Sequence, residues 1–137
     1  MLVANAGTSA FAKLEDVTDD DLERVFNTNV KGTLDTVKKA LALLTDGASI
    51  VLVGSVSGST GPEGFSVYSA SKAAVRSFAR SWANELKGRR IRVNVLAPGT
   101  ADTPGIGCGR RGHQARVRGE PLVEGPSGPM GTAGRTG

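Results

Sequence analysis

Tyr68 and Lys72 stand four residues apart, a spacing that on a helix stacks them one turn apart on the same face. Such a pair can exchange protons. A free tyrosine loses its proton near pKa ~10, too high for use at neutral pH. An adjacent ammonium stabilises the phenolate and lowers that value, so Tyr68 can then serve as general acid or base. Ser55, 13 positions upstream, adds a hydroxyl within the same stretch, Gly54 to Lys72. Together these spacings suit reduction of a carbonyl. A lone Tyr-x-x-x-Lys also arises by chance on helices, as a half-buried aromatic beside a solvated lysine, so the elements that position the three residues must decide.

Those elements can be read from the pattern. Leu2 to Asn5 is a short apolar run closed by Gly7, as in a buried strand ending in a turn. Thr18 to Asp21 carries side chains suited to capping a helix, with acids where the dipole favours them. Behind them Leu22, Val25, Phe26, Val30, Leu34, Val37, Leu41 and Leu44 recur at steps of three and four, the apolar face of one long helix. Asn29 interrupts that stripe. Burying its amide unsatisfied would cost ~1 to 3 kcal/mol, so it needs partners, for instance the backbone at a bend near Gly32. Ser49 to Val53 is a continuous apolar run between Gly47 and Gly54, as expected of a strand buried on both faces of a parallel sheet. It delivers Ser55 to the carboxyl edge, where ligands of open α/β sheets bind. Gly58 to Gly64 reads as a loop over the substrate. From Ser66 to Lys87 helical periodicity returns, with Val75, Phe78, Ala79, Trp82 and Leu86 on one side and Gly88 as the stop. Trp82 and Phe78 read as core or packing residues. Ile91 to Leu96 is a third strand, ending in Ala97-Pro98-Gly99.

The ordered set resembles the short-chain dehydrogenase/reductase family: the Asn5-Ala6-Gly7 turn, Asn29 before Lys31-Gly32, Ser55, Tyr68 with Lys72, and the Pro98-Gly99 turn. The resemblance covers Leu2 to about Thr103. It implies an α/β fold, a partial Rossmann-type doubly wound parallel sheet of three strands and two long helices. It also implies hydride transfer between NAD or NADP and a carbonyl or secondary alcohol. In that scheme Tyr68 is the acid/base, Lys72 tunes it and grips the nicotinamide ribose, and Ser55 holds the substrate oxygen as it changes between carbonyl and alkoxide. Asn29 would hold a water in a relay to Lys72. Asn5, Ala6 and Gly7 would stabilise the sheet beside the cofactor, Pro98 and Gly99 would shape the backbone beneath the ring, and Thr103 would bond the carboxamide. The two long helices would pair with their copies in a homo-oligomer. The glycine-rich turn that opens such a domain and holds the pyrophosphate is expected to be missing here, because nothing before Leu2 supplies it.

Of 137 residues, 39% are hydrophobic and 22% charged, which fits a soluble domain. No apolar run reaches membrane-spanning length, and Met1 leads into a strand without a basic leader. The lone Cys108 gives neither an internal disulfide nor a metal cluster. A cytoplasmic location is the expectation. The formal charge of +4 sits mostly after Thr103, where residues 104–137 hold five arginines against two glutamates. The body, residues 1–103, is almost neutral and shows no nucleic-acid-binding face. Residues 104–137 also hold 10 of 19 glycines and 4 of 6 prolines, so they read as a disordered tail outside the catalytic domain. Such a tail fits either a shifted reading frame in GC-rich DNA or a basic arm for an anionic partner. Gly107 to Gly112 spells Gly-x-Gly-x-x-Gly but follows Pro104 rather than a strand, so it carries no dinucleotide reading. Ser69 to Lys72 spells Ser-x-x-Lys, which Tyr68 explains better.

The sequence is compatible with three functions. The leading one is an NAD(P)-dependent oxidoreductase acting on a small-molecule carbonyl or alcohol. The second is a non-catalytic piece that associates through its helix pair. The third is a module that binds through the basic arm. A half-sheet with one covered face and an open edge at Leu2 to Asn5 is also expected to fold only marginally.

Overall fold

The computed structural model describes residues 1–99. Three parallel strands, β1 (Leu2–Ala4), β2 (Ser49–Val53) and β3 (Arg92–Leu96), form one sheet in the order β1-β2-β3. Leu2 pairs with Ile50, and Ile50 with Val93, so these three side chains share one face of the sheet, as do Ala4, Leu52 and Val95. Each crossover is helical, as parallel strands require. Between β1 and β2 run α1 (Asp19–Phe26), a π-turn (Asn27–Lys31) and α2 (Gly32–Ala40), with a short 3-10 turn at Leu41–Leu43. Between β2 and β3 run α3 (Ser57–Thr60) and the 20-residue α4 (Ser66–Glu85).

The core lies on one face of this sheet. Ile50 and Leu52 are fully buried against Val37, Val75, Ala79 and Ile91, and each such side chain contributes ~1.5 to 3 kcal/mol by leaving water. Phe78 and Trp82 stack with ring centroids 4.8 Å apart and pack against the same cluster, as the helical pattern predicts. The opposite face is open among the described residues. Val3 and Leu96 are 49% and 57% exposed, and the outward residues of β2 are only half-buried. Among the described residues the apolar run Ser49–Val53 is therefore covered on one face, as expected of the half-sheet, and not on both as its continuous apolar pattern suggests. A continuous apolar strand needs cover on both sides, and only one layer of helices is described here.

The other departures are local. The apolar stripe from Leu22 to Leu44 does not form one regular helix, because the π-turn inserts at Asn29 and shifts the register. Leu22 and Leu34 consequently face outward, 43% and 38% exposed. Thr18 caps α1 as expected, accepting from the Asp21 amide at 3.1 Å. Gly58 belongs to α3 rather than to a loop, and a Cβ there would come within 2.9 Å of the α4 backbone at Lys72 and Ala73. Gly88 is not the stop of the second long helix. The chain turns at Arg90, in the left-handed region at φ 55°, after a 3-10 turn at Lys87–Arg89. The expected tail, residues 104–137, lies outside the described residues.

Arg89 joins the two crossovers. Its guanidinium donates to the carbonyls of Leu41 and Leu44, which end the first helical crossover, and to Asp46. Bonds from a charged donor to carbonyls that a helix end leaves free are worth more than the exposed Asp46 pair. Arg89→Met is expected to lower stability by ~1 to 3 kcal/mol, and Asp46→Asn by less than ~1 kcal/mol, measured by urea denaturation. Equal losses would show that the ion pair, not the carbonyl capping, does the holding.

Candidate active site

The carboxyl ends of the strands bring the sequence-marked residues to one edge. Gly54 and Val56 donate to the carbonyls of Leu96 and Pro98, at 2.8 and 3.1 Å. This zips the end of β2 to the end of β3 and sets Pro98 and Gly99 beside Ser55. Ser55 is buried, 8% exposed, and its hydroxyl oxygen accepts from the Ser57 amide at 3.2 Å. That bond uses an oxygen lone pair and leaves the hydroxyl proton for another acceptor. The amide also opens α3, whose Gly58 rests on α4 at Lys72. Ser55 is thus fixed relative to the helix that carries the tyrosine and lysine.

Lys72 is 5% exposed, and its Nζ donates to the Val53 carbonyl at 2.8 Å. The same ammonium lies 5.8 Å from the centre of the Tyr68 ring, within cation–π range. Burial holds the Lys72 pKa below the ordinary lysine value. An ammonium has three donors, and the Val53 carbonyl takes one. Gly7 leaves room on the other side: a Cβ there would lie 3.3 Å from Lys72 Nζ and 3.4 Å from Asn29 Oδ1. Asn5 and Ala6 precede it on the exposed turn after β1. Thr103 lies outside the described residues.

Asn29 is fully buried in the π-turn, and its amide is satisfied by specific partners. Its Oδ1 accepts from the Thr8 N–H at 2.8 Å, and its Nδ2 donates to the Thr8 carbonyl at 2.8 Å and to Ser71 Oγ at 2.9 Å. The backbone carbonyl of Asn29 accepts from the Thr33 hydroxyl at 2.7 Å. Ser71, also fully buried, donates onward to the Tyr68 carbonyl at 2.7 Å. The expected bond of the Asn29 amide to backbone is present, but the backbone belongs to the loop after β1 rather than to the helix bend itself.

Sequence reasoning missed Thr8, Ser71 and Arg24. Arg24 donates to the Thr8 hydroxyl and the Ser9 carbonyl, both at 3.1 Å, and pairs with Asp21 at 2.8 Å. It thereby holds the loop that Asn29 grips. Ser71 carried a weak signal, a small polar residue inside a helix directly before Lys72. Thr8 and Arg24 carried none, because the bonds that tie Asn29 and Arg24 to the loop at Thr8 and Ser9 span 15 or more residues. A groove of about 470 Å³ lies between residues 12–15 and the turn 61–66, but Ser55, Tyr68 and Lys72 do not line it. Those three residues lie at the strand edge instead.

With this geometry in view, likeness to known proteins is informative. The family model described as short chain dehydrogenase matches residues 1–108. The oxidoreductase asL5 of Sarocladium schorii is 47% identical over 105 residues, covering 75% of this chain and 42% of that protein. The 3-oxoacyl-[acyl-carrier-protein] reductase FabG of Thermotoga maritima is 41% identical over 106 residues, covering 76% and 43%. Among solved structures, a blue fluorescent protein from a metagenomic library in complex with NADPH superposes with a TM-score of 0.73 at 37% identity, covering 76% and 43%. The chain spans about two-fifths of the length of these relatives.

Two measurements probe the site's interior. Ser69 and Ser71 are both buried in α4, yet among the described residues Ser69 Oγ has no partner while Ser71 Oγ has two. Ser71→Ala is expected to cost ~1 to 3 kcal/mol, and Ser69→Ala to be neutral or stabilising. Equal losses by urea denaturation would contradict this assignment. The lowered Lys72 pKa gives a signed pH effect. Between its folded value and the ordinary ~10.4, the unfolded chain binds more protons, so this residue's contribution to stability rises with pH across that window. The stability difference between wild type and Lys72→Met should shift in favour of wild type as pH climbs toward 10. Parallel pH profiles would mean that Lys72 is not desolvated.

Proposed function

This chain belongs to the short-chain dehydrogenase family, and we propose that the protein it represents transfers a hydride between a nicotinamide cofactor and a carbonyl or secondary alcohol. The observation that carries this reading is the placement of Lys72. Its ammonium is buried at the carboxyl edge of the sheet, 2.8 Å from the Val53 carbonyl and 5.8 Å from the Tyr68 ring. A buried ammonium that has two donors still to place among the described residues is suited to a hydroxylated ligand and to a developing phenolate.

The residues present fit a nicotinamide nucleotide at its ribose end. Lys72 would grip the ribose, Asn5, Ala6 and Gly7 would leave it room beside β1, and Pro98, Gly99 and Thr103 would border the ring and its carboxamide. A bound nicotinamide supplies or accepts the hydride. The NADPH held by the similar solved structure supports this class of cofactor, with NAD and NADP both open to it.

The chain's own residues handle the proton and the oxygen. Ser55 donates its free hydroxyl proton to the substrate oxygen, which steadies negative charge as a carbonyl becomes an alkoxide. Tyr68 delivers the proton to that oxygen in reduction and removes it in oxidation. Lys72 stabilises the tyrosinate left behind. Asn29 and Ser71 hold Tyr68 and the loop at Thr8 in register. A water on the Asn29 backbone carbonyl would return the proton through Lys72. That carbonyl already accepts one bond from Thr33 and has a second lone pair to offer.

In this reading a homo-oligomer forms through the two helical crossovers; Leu22 and Leu34 of the first crossover face outward and are exposed. No helix of the described residues is long and apolar enough to cross a membrane. Oxidation of NADH or NADPH by a panel of carbonyl compounds is the direct assay. Tyr68→Phe should lower turnover about a hundredfold or more while leaving the urea midpoint unchanged. Absence of nucleotide binding would instead favour the reading in which the chain only associates through its helices.

A further inference from the structure

Beside the acid–base pair stands an aromatic array that the core does not use. The Phe11 ring meets Phe65 edge to face, centroids 5.1 Å apart at 66°, and Phe65 meets Tyr68 in the same manner at 6.1 Å and 65°. Phe11 is 66% exposed. A large apolar ring left so open adds little to a core, yet the local backbone is built to hold it. The Ala12 N–H donates to the Gly64 carbonyl at 2.9 Å, which ties the residue after Phe11 to the residue before Phe65. Gly64 has φ +76°, and a Cβ on it would run into the Phe11 ring. The turn therefore needs glycine twice over, for its backbone conformation and for the ring that lies on it. A fixed, exposed aromatic that reaches Tyr68 through one intervening ring is a surface suited to a ligand rather than to folding.

We propose that Phe11 and Phe65 form an aromatic wall that receives a planar ring of the substrate, so that the site prefers carbonyl compounds fused to an aromatic ring over saturated ones of the same skeleton. The inference rests on the proposed oxidoreductase reading and narrows its substrate class. Edge-to-face packing leaves outer ring surface of Phe11 free for an aromatic partner. The three rings run in series from Phe11 through Phe65 to Tyr68, so a fused ring docked on the wall carries a carbonyl on its rim toward Tyr68. Val56, next to Ser55, is 41% exposed and adds apolar surface on the serine side. The groove between residues 12–15 and 61–66 contains the Ala12 to Gly64 tie but none of Ser55, Tyr68 or Lys72, so it is not the receiving surface.

The test uses the full 137-residue chain with NADPH present, and 1-tetralone and 1-decalone as probes, which share a skeleton and differ in one aromatic ring. Binding is measured by ligand-observed NMR titration, and NADPH oxidation is followed in parallel. The chain should bind 1-tetralone about threefold to tenfold more tightly than 1-decalone, the range an added aromatic contact gives. Phe11→Ala should bring that ratio to about one, with unchanged circular dichroism. Tyr68→Phe, which keeps the third ring, should retain the ratio while stopping oxidation. Equal binding of the two ketones, binding of neither, or a ratio that survives Phe11→Ala overturns the wall. A ratio that behaves as expected without any NADPH oxidation sinks the oxidoreductase reading and leaves the wall standing. Oxidation of NADPH that is indifferent to Phe11→Ala with both ketones does the reverse.

Discussion

The buried amide of Asn29 is the constraint on which the site depends. An amide sealed from water must find its hydrogen bonds inside the protein or forfeit much of the stability that a small domain has. Asn29 finds them on two separate pieces of chain, the loop at Thr8 and the helix at Ser71. The π-turn lies at the residue that makes these contacts: the Gly32 N–H bonds to Asn27 five residues back, and the irregular turn presents the side chain inward. One polar side chain thereby joins the exit of β1, the first crossover and the helix of Tyr68. Thr33 bonds the Asn29 carbonyl, and Arg24 holds the loop at Thr8 and Ser9.

Around this network the parallel sheet acts as a frame. Parallel strands all end on the same edge, so the segments that follow β1, β2 and β3 meet there: Gly7, Ser55 and Pro98. The Gly54 and Val56 bonds to β3 continue the zip beyond the regular strands. Close contact replaces side-chain bulk where α3 meets α4, because Gly58 lets the turn after Ser55 rest on the backbone at Lys72. Ser55 and Lys72 are thus each tied to a backbone group, the Ser57 amide and the Val53 carbonyl, which fixes their side chains relative to the sheet.

The same frame leaves surface uncovered. One face of the sheet carries the core, while Val3 and Leu96 on the other are exposed, and the chain spans about two-fifths of the length of its relatives. Lys72 shows the electrostatic counterpart of this economy. Among the described residues its one hydrogen-bond partner is the Val53 carbonyl, so its buried charge is costly here.

By itself the sequence determined the parallel α/β pattern, the capped start at Thr18, the helix of Tyr68 and Lys72, and the delivery of Ser55 by a strand. These follow from periodicity and spacing within a few turns of chain, where side-chain order alone sets which residues share a face. The family was legible for the same reason, since its marks are short motifs in a fixed order. Only the tertiary structure decided that the stripe from Leu22 to Leu44 breaks at Asn29, that Ser71 rather than Ser69 joins the network, and that Phe11 reaches Phe65. Each of these depends on contacts between segments far apart in the chain. Their energies, a satisfied amide, a doubly bonded hydroxyl and an edge-to-face ring pair, exist only once folding has brought those segments together.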